Sequence, residues 1–406
     1  MSRFVFRLAR PEDAAEVEAF NARMSAAGQP HRLSPEHAFA ALRVPPGAPI
    51  ALCRYLCLVD GRVRGGVSVR EQMFRVRGAG DTPIAFYGYP LSEGIIDPEF
   101  GMVGLMIHKE ILRRYPLIYG LGVGSLDAPV ARLMTGTGWS SRPVPFHFSV
   151  LRAKPFLRNF VYLRRRGRTR LLFDLLASSG LGSAGLGLFK LAQQLRGRRP
   201  DGCGLVVEPF EAWGGWADAV WEQARDRYTF IGDRSAAALA ALYPAGHPQM
   251  RKVQVRRADG RVLGWAVYSA APVRGHNYFG DMTLGVLIDI LALPEDAYTV
   301  ASGVLSALAK TKADLMVVNH SAAAWNAAFT RAGILTGPTN SFLFLAPKLQ
   351  TLFGPSDSFA DGFYFTRGDG DGPVHLWSGK IHLPADVIPA KAGIQRSGFG
   401  FPPSRE

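Results

Sequence analysis

Cysteine, acid and long apolar runs are all scarce in this chain. Its 406 residues include three cysteines, Cys53, Cys57 and Cys203, too few for a disulfide framework or a zinc quartet. Cys53 and Cys57, four apart in an apparent strand, share one face and read as core. No metal site is expected. No stretch of about 20 apolar residues is available to span a bilayer. The nearest approach, Leu171 to Leu195, is broken by Asp174, Lys190 and several glycines. Met1 to Ala19 carries Arg3, Arg7, Arg10, Glu12 and Asp13 and no uninterrupted apolar core, so no signal peptide is expected. These absences point to a cytoplasmic protein.

The shortage of acid leaves a formal net charge of +14, and the excess is concentrated. From Arg152 to Arg170 stand Arg152, Lys154, Arg158, Arg164, Arg165, Arg166, Arg168 and Arg170, with no acid and with apolar residues between them. No recognised nucleic-acid-binding motif accompanies this charge, so nucleic acid is not the expected partner. Two readings of 152–170 stay open. One is a connector whose long basic side chains cover apolar surface. The other is a peripheral contact with anionic membrane lipids.

What is present is repetition, which is best sought before any motif. Asp60-Gly61-Arg62-Val63-Arg64-Gly65 returns, one residue changed, as Asp259-Gly260-Arg261-Val262-Leu263-Gly264. Pro98-Glu99 returns as Pro294-Glu295, Gly138-Trp139 as Gly333-Ile334, and Phe146-His147-Phe148 as Phe342-Leu343-Phe344. The four echoes keep their order with little drift in spacing, which predicts one fold present twice. The expected organisation is a first unit over 1–151, a basic, apolar connector over 152–203, and a second unit with a C-terminal extension over 204–385. A structureless tail over 386–406 completes it, rich in Pro and Gly and similar to the translated product of a dispersed bacterial intergenic repeat.

Periodicity outlines each unit. Phe4 to Leu8 alternates as an opening strand, and Pro11-Glu12-Asp13 starts a helix. Leu52–Leu58 and Val63–Val69 form a hairpin at Asp60-Gly61. A third strand covers Ala85–Ile96. A helix over Val103–Leu112, a strand over Leu117–Val123, a helix over Ala128–Thr137 and a closing strand over Phe146–Leu151 follow. The second unit runs the same course and closes with a strand over Ser341–Ala346. The layout is a mixed α/β fold, an α+β mixed sheet with helices on both faces.

At this level the chain resembles the GCN5-related N-acetyltransferases. The resemblance rests on the order of elements, the opening "FRLARPEDAAEVEAFNARM", the D-G-R-V-x-G hairpin and the junction "PEFGMVGLMI", and it covers about 1–151 and 204–346. It implies two tandem acyl-CoA N-acyltransferase domains and acetyl-CoA as co-substrate. The matching pyrophosphate-binding positions are Gly101, Met102, Val103, Gly104 and Leu105 at a helix N-terminus, where free N–H groups and a positive dipole end hold phosphate. Gly101 and Gly104 would be the residues of close approach. The pattern departs from the family's in two places. Glu99 stands where a basic or amide residue is common. The second unit has Pro294-Glu295-Asp296-Ala297-Tyr298, with no glycine and two acids, so it is not expected to bind CoA in the standard way. Met134 and Phe329 occupy the positions of the family's proton-donating tyrosine, and neither can donate.

The resemblance nominates Glu93, on the third strand, as the base that deprotonates an amine acceptor. The alternative is that Glu93 and Asp97 flank a strand and face solvent, which is favoured for Asp97. Asp289 lies in the equivalent strand of the second unit, and His320 reads as a hydrogen-bonded cap. Thr366 to Pro373 lacks the later ligands of a calcium loop and reads as a turn packed near the second unit. The expected activity is acyl transfer from acyl-CoA to an amine, by resemblance an amino sugar or polysaccharide precursor. The rivals are a degenerate, non-catalytic pair acting as a scaffold at the membrane face, and a relative of the aminoacyl-tRNA-dependent peptidyltransferases.

Overall fold

The computed structural model describes residues 4–29, 31–33, 49–161, 176–177, 185, 204–247, 249–276, 279–353 and 361–370. The first half contains β1 (Phe4–Leu8), α1 (Ala14–Ala26), β2 (Ile50–Val59), β3 (Arg62–Val76), β4 (Gly80–Ser92), α2 (Gly101–Arg114), β5 (Ile118–Val123), α3 (Pro129–Gly136), β6 (Ser140–Pro143) and β7 (Phe146–Val150). A short helix, α4 (Ala153–Asn159), follows. The second half contains β8 (Val206–Pro209), α5 (Gly215–Ala224), β9 (Phe230–Gly232), α6 (Ala236–Leu242), β10 (Met250–Arg256), β11 (Val262–His276) and β12 (Gly280–Ala292). It continues through α7 (Ala297–Ala309), β13 (Leu315–Asn319), α8 (Ala323–Arg331), β14 (Leu335–Gly337), β15 (Phe342–Leu345), α9 (Pro347–Gln350) and β16 (Phe363–Tyr364). Among these residues no helix is long and apolar enough to cross a membrane. Most of the basic segment 152–203, and all of Asp386–Glu406, lie outside the described residues.

Local chemistry explains the elements. Asp60 and Gly61 both take left-handed backbone conformations (φ 50° and 80°), the geometry of a two-residue turn whose twist matches its flanking strands. In front of α1, Asp13 accepts the Arg10 N–H at 2.8 Å and grips Arg7 through two bonds of 2.7 Å. Val17, Phe20 and Met24, three and four apart, bury the inner face of that helix.

The strands form two mixed sheets. One runs β1-β2-β3-β4-β5-β15-β6 and the other β14-β7-β13-β12-β11-β10-β8. Phe146–Leu151 and Ser341–Ala346 were expected to close their own units, and here the expectation is corrected. β7 lies antiparallel against β13 and β14 of the second half, whereas β15 inserts between β5 and β6 of the first. Each half closes the other's sheet. Alternation marks a strand but carries no record of its partner, and Phe-x-Phe stands in both closing strands. The tie is specific: on β7, His147 Nε2 meets Asn326 Oδ1 at 2.9 Å and Nδ1 meets Thr336 Oγ1 at 3.2 Å.

The second half reaches further still. β9 pairs with the far end of β3, and β16 pairs with β9. Neither strand was anticipated, nor was α6. Phe230, Phe363 and Phe365 thereby pack with Phe74, Phe86 and Tyr119 in a core shared by both halves.

Candidate functional site

Two features of β4 shape the site. First, Gly88 lies opposite Ser68 and Leu91 opposite Gly66, so Tyr89 and Pro90 face a single residue of β3. Tyr89 absorbs the bulge with φ 50°, a conformation uncommon outside glycine. Second, β4 pairs with β5 in parallel only at Ala85–Ile118 and Phe86–Tyr119. Beyond Phe86 the two strands part, and β5 turns its other edge to β15.

The start of α2 follows the end of β4 through two 3-10 turns, Glu93–Ile95 and Pro98–Phe100. Asp97 caps the second turn, accepting the Glu99 N–H at 3.0 Å, and the Gly101 N–H donates to the Pro98 carbonyl. Gly101 and Met102 are exposed, Val103 is buried, and Gly104 and Leu105 are half-buried. A side chain added at Gly101 would meet nothing within 4 Å, and one at Gly104 would only touch Ser92. The glycine held by close packing is instead Gly94, whose added Cβ would lie 2.5 Å from the Phe100 carbonyl oxygen and 2.8 Å from the Gly101 Cα. The open space at Gly101 and Gly104 leaves their expected close approach to a pyrophosphate a matter for the ligand, whereas Gly94 is the glycine that the packing of this junction requires.

Glu93 sits in the turn after β4 and is 3% exposed. Its Oε1 accepts from Arg23 Nε at 2.7 Å and Arg64 Nη1 at 2.8 Å, and its Oε2 from Arg23 Nη2 at 2.9 Å. Arg64 also lies 3.9 Å over the Phe100 ring. Burial works to raise the Glu93 carboxyl, but the hydrogen bonds and charges of the two arginines outweigh it and hold it below the usual range. A general base works best with a pKa near the operating pH, and Glu93 is held in the opposite direction. In the structure Glu93, the expected proton acceptor, forms a brace that ties α1 and β3 to the turn before α2. The sequence carries no signal for this, because Arg23 and Glu93 are 70 residues apart. Met134 is buried against Gly120 on β5, and Phe329 is buried in the second half.

In the second half the corresponding parting is filled. β12 and β13 pair from Leu284–Leu315 to Leu287–Val318 and then diverge past a bulge. Residues 363–370 occupy the divergence. Phe365 exchanges bonds with Ser321, donating to its hydroxyl at 2.7 Å and accepting its N–H at 3.0 Å. The Thr366 hydroxyl donates to Asp289 Oδ1 at 3.1 Å and the Tyr243 hydroxyl to Oδ2 at 2.8 Å. Arg234 links Asp289 (2.9 Å) to Asp369 (2.7 Å), all three at most 1% exposed. Burial raises the Asp289 carboxyl, and the Asp369 charge pushes the same way, against Arg234. The same turn crosses to the first sheet, where the Asp369 carbonyl accepts from the Tyr119 hydroxyl at 2.7 Å and the Gly370 carbonyl from Arg70 at 3.1 Å. The expected turn at Thr366 is thus present and buried. Asp289 is part of this ion cluster, and His320 is a cap whose Nδ1 accepts the Ala322 N–H at 3.1 Å.

No protein-family profile matches the chain, and no curated protein matches it in sequence. Solved structures do match. Saccharomyces cerevisiae N-myristoyltransferase, solved with myristoyl-CoA and inhibitors, is 14% identical, with 85% of this chain and 80% of that chain covered and a TM-score of 0.51. A second structure of it with myristoyl-CoA gives 14% identity, 85% and 79% coverage and a TM-score of 0.50. A GCN5-related N-acetyltransferase from Anabaena variabilis is 10% identical over 84% of this chain and 72% of its own, with a TM-score of 0.48. The chain has the fold of N-myristoyltransferase.

Proposed function

We propose that this protein is an acyltransferase that takes an acyl group, acetyl in the simplest case, from acyl-CoA and delivers it to an amine. The observation that supports this reading is the asymmetry between the two partings. The one between β4 and β5 lies beside a helix start with open space at Gly101, while the one between β12 and β13 is filled by the chain's own C-terminal turn. One cofactor site per chain follows, in the first half. The residues fit a pyrophosphate in part: the first turn of α2 and the nearby Arg64 favour an anion, whereas Asp97 and Glu99 oppose one. Bound acyl-CoA would supply the activated thioester. The chain's own contribution would be to hold that thioester against the acceptor, since orientation alone supplies much of such a rate.

An amino sugar or polysaccharide precursor remains our proposed acceptor, and the basic segment 152–170 a proposed peripheral contact with anionic lipid. A second reading, a non-catalytic binding module, draws support from the commitment of Glu93 to two arginines and from methionine at position 134. Titration calorimetry of acetyl-CoA into the full chain tests the first reading. One site per chain with micromolar affinity, lost in Gly101→Glu, is expected. The absence of binding up to millimolar acetyl-CoA would sink it, and binding without acyl transfer to any amine would favour the second.

A further inference from the structure

The first sheet is apolar on the side of α2, where Tyr55, Val67, Val69 and Tyr87 pack with Val103 and Ile107. Its opposite face carries a polar row. Residues paired across strands point the same way, and on that face Arg54 of β2 stands opposite Ser68 of β3, which stands opposite Gly88 of β4. Arg70 and Gln72 continue the row along β3 and are buried. Buried polar groups are normally partnered, and the neighbouring arginines are. Arg23 and Arg64 share Glu93, and Arg70 donates to the carbonyls of Asp369 and Gly370. Arg54 differs. Among the described residues no acceptor meets its guanidinium, and its Nε is both sealed and unpaired. Burial alone pushes the group down to about 10.

The row is covered on either side of Arg54 and open at it. Leu33 closes over Gly66, with its Cδ atoms 3.1 and 3.2 Å from where a Cβ on that glycine would lie. The C-terminal turn closes over Arg70. Between them, the two Nη nitrogens of Arg54 and the Ser68 hydroxyl make no hydrogen bond among the described residues, and none of the three is sealed from solvent. A half-buried charge without a counter-charge is costly, and an anion that arrives from solvent would relieve it. The guanidinium fork meets a carboxylate or a phosphate with two parallel bonds, and the Ser68 hydroxyl adds a third donor.

The place suits an acceptor. Gly88 immediately precedes the Tyr89 bulge, where β4 has already left β5. The helix start that would hold the pyrophosphate belongs to α2, on the other face, which leaves this face for a second substrate to approach the thioester. β2 and β4 lie two strand spacings, about 10 Å, apart. A small amine whose anionic group sits on Arg54 can therefore bring its nitrogen to the bulge. We propose that Arg54, assisted by Ser68, binds a carboxylate or phosphate group of the acceptor, so that the substrate is an anionic amine such as an amino sugar phosphate or an amino sugar acid. This rests on the acyl-CoA reading above. Arg54 determines specificity in it and stands away from the reacting atoms.

The test titrates the full chain, saturated with CoA so that no transfer occurs, with glucosamine, glucosamine 6-phosphate and 2-amino-2-deoxyglucuronate. One of the two anions is expected to bind about tenfold more tightly than glucosamine, the worth of a charge-assisted hydrogen bond, and the tighter of them identifies the group as phosphate or carboxylate. Arg54→Gln should abolish that preference and leave acetyl-CoA affinity unchanged. Its melting temperature should equal or exceed that of wild type, because an uncompensated charge has been removed. The absence of any preference for an anion in wild type, or a preference that survives in Arg54→Gln, would overturn the proposal and leave the acyl-CoA reading intact. A lower melting temperature in Arg54→Gln, with acetyl-CoA weakened alongside the anions, would overturn it in favour of a structural role. Failure of wild type to bind acetyl-CoA would remove the acyl-CoA reading and the acceptor with it.

Discussion

Replacing Glu93 with glutamine separates a structural carboxylate from a catalytic one. In the native protein one carboxylate accepts three bonds of 2.7–2.9 Å from Arg23 and Arg64. Glutamine keeps the shape, removes the charge, and turns an NH2 group toward guanidinium donors. Breaking a buried pair by neutralising one partner costs about 3–5 kcal/mol. The Arg23 side chain is 32% exposed, and water there compensates part of the loss, so the expected cost is about 2 kcal/mol. Melting of the full chain reads this as a fall of about 2–3 °C. The pH dependence adds a sign. A carboxyl held below its usual range contributes stability that is present above its unfolded pKa, about 4.3, and is lost as pH falls through the folded value. The gap between wild type and Glu93→Gln should therefore be full at pH 7 and close below about pH 4. A melting temperature unchanged within about 1 °C, together with lost acyl transfer, would refute the brace and return Glu93 to the chemistry.

Three further outcomes follow from the same geometry. Asp369→Asn leaves Arg234 with one carboxylate in a site at most 1% exposed and should cost about 3 kcal/mol; a loss below about 1 kcal/mol in chemical denaturation would show that the cluster is not under such strain. Gly94→Ala forces a Cβ onto the backbone at Phe100 and Gly101 and should destabilise by about 1–3 kcal/mol, while Gly101→Ala, with open space and φ −54°, should stabilise by about 0.5–1 kcal/mol; the reverse order in thermal melts would contradict the packing. Burial lowers His108 to about 4, so stability present above its unfolded pKa of about 6.5 should fall by up to about 3 kcal/mol as pH drops to 4; His108→Gln should flatten that slope, and an unaltered slope would place the acid sensitivity elsewhere.

By itself the sequence determined the main elements, though not β9, β16 or α6. Alternation located the main strands, Asp60-Gly61 fixed a hairpin because both residues accept a left-handed backbone, and the spacing of Val17, Phe20 and Met24 marked a helix face. These are short-range matters, decided by dihedral preference and by which side of an element is apolar. Pairing was decided only by the tertiary structure. Phe146-His147-Phe148 and Phe342-Leu343-Phe344 would suit either sheet, and their exchange depends on partners such as Asn326 and Thr336, nearly 200 residues away. The site divides in the same way. The helix start at Gly101–Leu105 was legible as a motif. The commitment of Glu93 to Arg23 and Arg64, and the filling of the second parting by Thr366–Gly370, arise where distant segments meet. A charged side chain looks the same in the sequence whether it faces water or a buried counter-charge, and only packing determines which.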